Sequence, residues 1–236
     1  AVYFNHHTTI DDLRMKSIDF ARNDHDLFPI LQEATSDEKA ILAEIISNKQ
    51  SSSIDKNERD ALKLAIELQN MGGDSFMNLL RRRGVSYREI VIDVADKVGV
   101  KVDKQDEIVK IEESIAVKVI DNYKEKLSEK ERNQFDDVLR ESLENQKLAM
   151  EAKNAAARSL MGITPALLAI GSFMLRRGAI SAIPVAGQFL GALTGVASIV
   201  LAFTGTAYSV TIPAVLVVGS IRSRLVAENF MEQVKL

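Results

Sequence analysis

Apolar residues return at helical spacing through the first part of the chain, and each run is bounded by recognisable start and stop residues. Thr35 stands three positions before Glu38, the spacing of a capping box, and Ile41, Leu42, Ile45 and Ile46 follow at a period near 3.6. This predicts a helix that ends in the polar loop Asn48 to Ser53. Leu62, Leu64, Ala65, Ile66 and Leu68 predict a second amphipathic helix, stopped by Gly72 and Gly73, with Asp74 or Ser75 placed to cap the next. That next helix, Phe76 to Arg83, is short and ends at Gly84. Ser86 with Glu89 forms another capping box ahead of Ile90, Val91, Val94 and Val98, and Gly99 closes that helix. Asp103 is placed to cap a helix reaching about Lys126. Ser128 with Glu131 opens a long charged one, whose narrow apolar stripe is Phe135, Val138, Leu139 and Leu143.

Beyond Ala149 the pattern changes. No Asp, Glu, Lys or Arg occurs between Gly178 and Ile221, and arginine pairs close both ends: Arg176 with Arg177, and Arg222 with Arg224. Pro165, Pro184 and Pro213 punctuate this region, each suited to a first turn or a kink. Val210 to Val218 is rich in β-branched residues and is the stretch where a strand competes. The expected fold is all-α, a multi-helix bundle with amphipathic helices around a C-terminal hydrophobic helical hairpin. Residues 1–14, before Met15, read as an extension, 15–55 as a small helical module, and 56–150 as an amphipathic helical domain. Residues 151–236 read as a hydrophobic helical region packed on the preceding helices.

Charge follows the same division. The chain has 30 basic and 33 acidic residues; five basic and two acidic ones lie after Arg158, so the preceding part has a net charge of −6 and the tail +3. The acidic part is a poor ligand for nucleic acid, which needs a dense basic face. A weakly basic, apolar tail suits anionic lipid better. The chain has no cysteine, which excludes disulfides, thiol catalysis and thiolate metal sites.

The uncharged run is about twice the roughly 20 residues that one bilayer crossing needs, room for two crossings with a turn near Gly205. Arginines at both ends would keep both ends on the cytoplasmic side. The insertion energetics are marginal. Nine Val, Leu, Ile or Phe residues between Val185 and Thr204 contribute on the order of −4 kcal/mol, opposed by Gln188, Thr194, Ser198, Thr204 and three glycines. Those glycines, Gly187, Gly191 and Gly195, fall at i, i+4 and i+8 and would line one helical face, a small-residue packing pattern shared by membrane helix pairs and tight bundles.

Conventional chemistry is sparse. His6, His7 and His25 lie near the N-terminus with Asp11, Asp12 and Asp24 as the nearby carboxylates, a spacing that matches no metal site. Gly72 to Ser75 mimics a phosphate turn, but no strand precedes it and no lysine follows at Walker spacing. Carboxylate pairs such as Asp136 with Asp137 and Glu112 with Glu113 are too common here to single out. No nucleophile elbow or zinc-protease motif occurs. Neither catalytic residues, a metal site nor a cofactor is therefore expected. Arg81, Arg82 and Arg83, with Arg88 nearby, form a candidate site for an anion or an acidic partner, against the plainer reading of charges favourable at a helix C-terminus.

The run LQNMGGDSFMNLLRRRGVSYREIVIDVADKVGVKVD, Leu68 to Asp103, resembles the signature of the YaaW-like family of bacterial proteins. TAYSVTIPAVLVVGSIRSRL, Thr206 to Leu225, resembles that family's C-terminal pattern, and DLFPILQEATSDEKAILAEII, Asp26 to Ile46, its opening module. The resemblance implies a bacterial, intracellular, helical protein and transfers no catalytic residue.

Together these readings lead to a non-enzymatic helical protein that interacts with or inserts into membranes through its C-terminal hairpin. It would be colicin-like or Bcl-2-like in general architecture, at the cytoplasm or the cytoplasmic face of the inner membrane. Arg176, Arg177, Arg222 and Arg224 would sit among headgroups and Gly187, Gly191 and Gly195 on the packing face. The alternative is a soluble protein-interaction or regulatory module whose hairpin is a permanent core. The partner is thus lipid or protein.

Overall fold

The structure, a computed structural model, describes residues 10–49, 52–71, 84–133, 135–137, 140, 166–167, 170–171, 208 and 210–234. It is all-α, with no strand among the described residues. The helices are α1 (Ile10–Arg22), α2 (Phe28–Glu33), α3 (Ser36–Ser47), α4 (Ala61–Met71), α5 (Tyr87–Val98), α6 (Ile108–Lys126) and α7 (Thr211–Val234). The helix α1 spans Ile10 to Arg14 continuously with Met15, so the stretch read as an extension contributes to it.

The local punctuation forms as the sequence dictates. Thr35 and Ser86 each complete a capping box, the side chain accepting from the backbone N–H three residues on while Glu38 or Glu89 accepts from the cap's own N–H. Gly99 ends α5 in the left-handed region at φ 85°, where a β-carbon would be strained. Ser128 and Glu131 pair in the same reciprocal way at the start of the next helical segment. One start differs. Asp103 does not cap α6; its carboxylate accepts from Gln105 N–H and its own N–H donates to Asp106, closing a tight turn, and α6 begins later, with Glu107 at the N-cap.

Among the described residues, α7 is the central helix. Every residue from Val210 to Ser223 is buried, and α7 packs on α2, α3, α4, α5 and α6. Pro213 occupies its first turn, where a missing N–H is harmless. The β-branched run is thus helical: apolar on all sides, it is enclosed on all sides, as a helix without a polar face requires. Leu31, Leu42, Ile46, Leu64, Leu68, Ile90, Ile111 and Ile115 form the surrounding wall, each at most 1% exposed. Each side chain of this size removed from water contributes roughly 1.5–3 kcal/mol, so the wall and α7 together dominate the stability of the bundle.

Two close approaches seat α7. A β-carbon at Gly219 would lie 2.9 Å from Leu167 Cδ2 and 3.2 Å from Glu112 Cβ, and one at Gly171 would lie 2.9 Å from Ser220 Cβ. Glycine at both places lets Leu167, Gly171 and α6 come close against α7. The segment expected to form a hairpin is described only at Tyr208 and from Val210 on, where it enters α7. Its first arm, the turn at Gly205, and the short helix Phe76 to Arg83 lie outside the described residues.

Candidate functional site

The notable chemistry is a buried polar network where α5, α6, α7 and the α1–α2 turn converge. Its centre is Glu112, which α6 places on its apolar stripe with Ile108, Ile111, Ile115 and Val119. The side chain of Glu112 is 0% exposed. Arg222 reaches it from α7, Nε donating to Oε2 at 2.9 Å and Nη2 to Oε1 at 3.3 Å. The Tyr87 hydroxyl, from the first turn of α5, donates to Oε1 at 2.8 Å. Arg222 Nη2 also donates to the Asp26 carbonyl oxygen. The guanidinium lies 6.0 Å from the centre of the Tyr87 ring, close enough for a cation–π contribution.

The α1–α2 turn ties the rest together. Asp24 Oδ2 accepts from Gln69 Nε2 of α4 and from the Tyr87 N–H, each at 2.7 Å. Arg88 donates through Nε to Asp26 Oδ2 at 3.2 Å and through Nη1 to the Asp106 carbonyl at 2.8 Å. Farther along α7, Arg224 grips Glu38 bidentately, Nε to Oε1 and Nη2 to Oε2, both at 2.8 Å, and also reaches Glu228. Glu38 is the same carboxylate that closes the α3 capping box, so one side chain caps a helix and anchors α7.

Burial sets the electrostatics. It raises the Glu112 carboxyl above the ordinary range, and the Arg222 charge, the Arg222 hydrogen bonds and the Tyr87 hydroxyl only partly offset it. Burial, then the adjacent negative charge of Glu112, pushes the Tyr87 phenol well above its usual value. Burial alone would lower the Arg222 guanidinium, but Glu112 more than compensates and holds it raised. The hydrogen bond to Glu38 is the main reason Arg224 is raised. The carboxylate, phenol and guanidinium thus occupy one another, an arrangement suited to fixing helices rather than to moving protons at a substrate.

The residues singled out by sequence fall in several places. Arg222 and Arg224, expected among lipid headgroups, point into the bundle: each meets a carboxylate from an earlier helix. Arg88, grouped with Arg81, Arg82 and Arg83 as an anion or partner site, is committed to Asp26 and two carbonyls. Arg81, Arg82, Arg83, Arg176, Arg177, Gly187, Gly191 and Gly195 lie outside the described residues. Asp24, considered beside His25 as a metal ligand, instead orients α5 and Gln69. As one of many carboxylate pairs Glu112 carries no signal, whereas its placement on a buried stripe is a readable one.

No helix among the described residues is long and apolar enough to cross a membrane, because Arg222, Arg224 and the acidic residues beyond interrupt α7. No protein-family model and no solved structure matches the chain. Three relatives do. The UPF0174 protein YaaW of Escherichia coli strain K12 is 30% identical over 181 residues, covering 71% of this chain and 73% of that protein. A UPF0174 protein of Helicobacter pylori strain J99 is 30% identical over 187 residues, covering 72% and 73% respectively. Another, from Helicobacter pylori strain 26695, is 29% identical over 192 residues, covering 70% and 89%. The matches agree with the resemblance carried by Leu68 to Asp103 and Thr206 to Leu225, and the chain belongs to the UPF0174 family of YaaW-like proteins.

Proposed function

We propose that this chain is a non-catalytic helical interaction module, in which the end of the apolar C-terminal region serves as permanent core and exposed charged helices meet a protein partner. The observation that supports this is the complete burial of Val210 to Ser223 together with the pairing of Arg222 and Arg224 to Glu112 and Glu38. Releasing α7 to lipid would expose that apolar surface and break both ion pairs. Breaking a buried pair typically costs 3–5 kcal/mol, and Arg222 or Glu112 would then be left without its partner. The polar face of α1, with Asp11, Asp12, Arg14, Lys16, Asp19 and Arg22, is the kind of charged exterior such a module presents.

The test is site-specific photo-crosslinking in cells, with the reactive residue at exposed positions such as Lys16 and Lys97. A discrete adduct at these sites, with thermal unfolding as one cooperative loss of helicity, is expected. Absence of adducts, combined with flotation of the full chain on anionic vesicles, would overturn the reading.

A membrane-contacting role keeps one specific support, the uncharged sequence from Gly178 to Thr206 with Gly187, Gly191 and Gly195 at four-residue spacing behind Arg176 and Arg177. In that version α7 stays in the bundle and the preceding segment meets lipid. Flotation lost in Gly191→Arg would favour it; identical behaviour of the two proteins would end it.

A further inference from the structure

The stretch that leads into α7 is held at both ends by described contacts, and both meet the bundle along α7. At the first, Leu167 and Ile170 are buried, and a β-carbon on Gly171 would lie 2.9 Å from Ser220 Cβ on α7. At the second, the Lys97 ammonium of α5 stands 4.9 Å from the centre of the Tyr208 ring, and the chain is buried from Val210 on. Thr211 to Ser220 covers about 14 Å of helix and Tyr208 is three residues farther, so the two anchors are on the order of 25 Å apart. The helix between them is enclosed by α2 to α6 and is not long and apolar enough to cross a membrane. The anchors therefore share one side of any bilayer that the chain meets.

The intervening stretch, Ser172 to Ala207, is 36 residues long, and its charge-free part begins at Gly178. A single crossing, about 20 apolar residues, would leave the two ends on opposite sides, which the anchors forbid. Two crossings need about 40 residues before any turn, more than the stretch holds. We infer that Gly178 to Ala207 meets lipid as a re-entrant loop, entering and leaving one leaflet from the side on which the bundle lies. The inference rests on the membrane-contacting reading above and names its topology. The surface it fits is an anionic bilayer, because Arg176 and Arg177, five and six residues past Gly171, are tethered beside the bundle at headgroup level. The reversal falls near Ala192, midway along the charge-free part, between Gly191 and Gly195, with Gln188 and Thr194 as polar partners for the backbone groups that a turn frees. Gly205, expected from sequence to be the turn, is three residues from Tyr208 and leaves no returning arm. Arms of about 13 residues reach roughly 20 Å, short of the ~30 Å hydrocarbon core.

The experiment uses the absence of native cysteine. Ser172→Cys, Ala192→Cys and Thr206→Cys are made singly in the full chain and added to preformed vesicles containing phosphatidylglycerol. A membrane-impermeant maleimide is supplied outside the vesicles or sealed within them. All three variants are expected to float. Ser172→Cys and Thr206→Cys are expected to label from outside, and Ala192→Cys from neither side until detergent is added. Should Ala192→Cys lose flotation that the parent chain shows, Thr194→Cys takes its place. Labelling of the central position or of Thr206→Cys from the lumen, in chains that float, overturns the re-entrant topology and leaves membrane contact standing. Labelling of all three positions from outside assigns the contact to surface adsorption and also overturns it. A parent chain that keeps its helicity by circular dichroism and does not float overturns the membrane-contacting reading, and this inference with it.

Discussion

Arg222→Met isolates the energetics of the buried network. The substitution preserves most of the apolar stem and removes the guanidinium that reaches Glu112 at 2.9 Å and 3.3 Å and the Asp26 carbonyl. What remains is a carboxylate with no exposed surface, held by the Tyr87 hydroxyl alone among its described partners. Removing one partner of a buried pair costs about 3–5 kcal/mol, mostly the penalty of the stranded charge. For a chain of this length each kcal/mol lowers the midpoint by about 2–4 °C, so a drop of roughly 6–20 °C is expected at neutral pH.

Glu112 has a folded-state pKa raised by burial above that of the unfolded chain, so its contribution is fully present below the unfolded value and is lost as pH rises through the folded one. Arg222 works against that rise; without it the folded carboxyl is raised further and the penalty at neutral pH grows. Lowering the pH protonates Glu112, removes the stranded charge and shrinks the difference between variant and parent. Urea denaturation followed by circular dichroism, at neutral pH and near pH 4.5, measures both quantities. A neutral-pH loss below about 1 kcal/mol, or a loss that does not diminish in acid, would refute the buried-charge account.

Three further substitutions test the framework around the network. Thr35→Ala removes the side-chain acceptor of the α3 capping box and should cost about 1 kcal/mol in urea denaturation, with Thr35→Ser nearly neutral. Gly99→Ala has open space around it, so its cost of about 1 kcal/mol is conformational, from φ 85°, and Gly99→Asn should recover part of it. Gly219→Ala meets Leu167 Cδ2 at 2.9 Å and should lower stability by about 1–3 kcal/mol; Leu167→Ala in the same chain should return some of that loss, as a double-mutant cycle would show.

The capping boxes at Thr35 and Ser86 and the stop at Gly99 were legible because the groups involved are at most a few residues apart, so sequence spacing is nearly spatial geometry. The turn at Asp103 was misassigned for a related reason: a carboxylate before a helix can cap it or close a turn, and here Asp106 offered the closer partner. The apolar helix α7 was harder. An apolar stretch ended by arginines reads the same whether lipid or protein surrounds it, since periodicity reports the presence of an apolar surface and not its neighbour. The partner of Arg222 lies 110 residues away, a separation no local pattern encodes.

The readable sign was on the other helix. Ile108, Ile111, Ile115 and Val119 define a buried stripe on α6, and Glu112 falls within it. A carboxylate on such a face requires a buried partner, because an unpaired charge there would cost several kcal/mol. The arginines at the ends of the apolar run, Arg222 and Arg224 among them, are cations that could supply that partner, and Glu112 on the stripe is thus a sign of a protein-enclosed α7. The two arginines that close the apolar run each meet a carboxylate of an earlier helix, Arg222 with Glu112 and Arg224 with Glu38, so in the bundle the charged end of this run is paired by the chain itself.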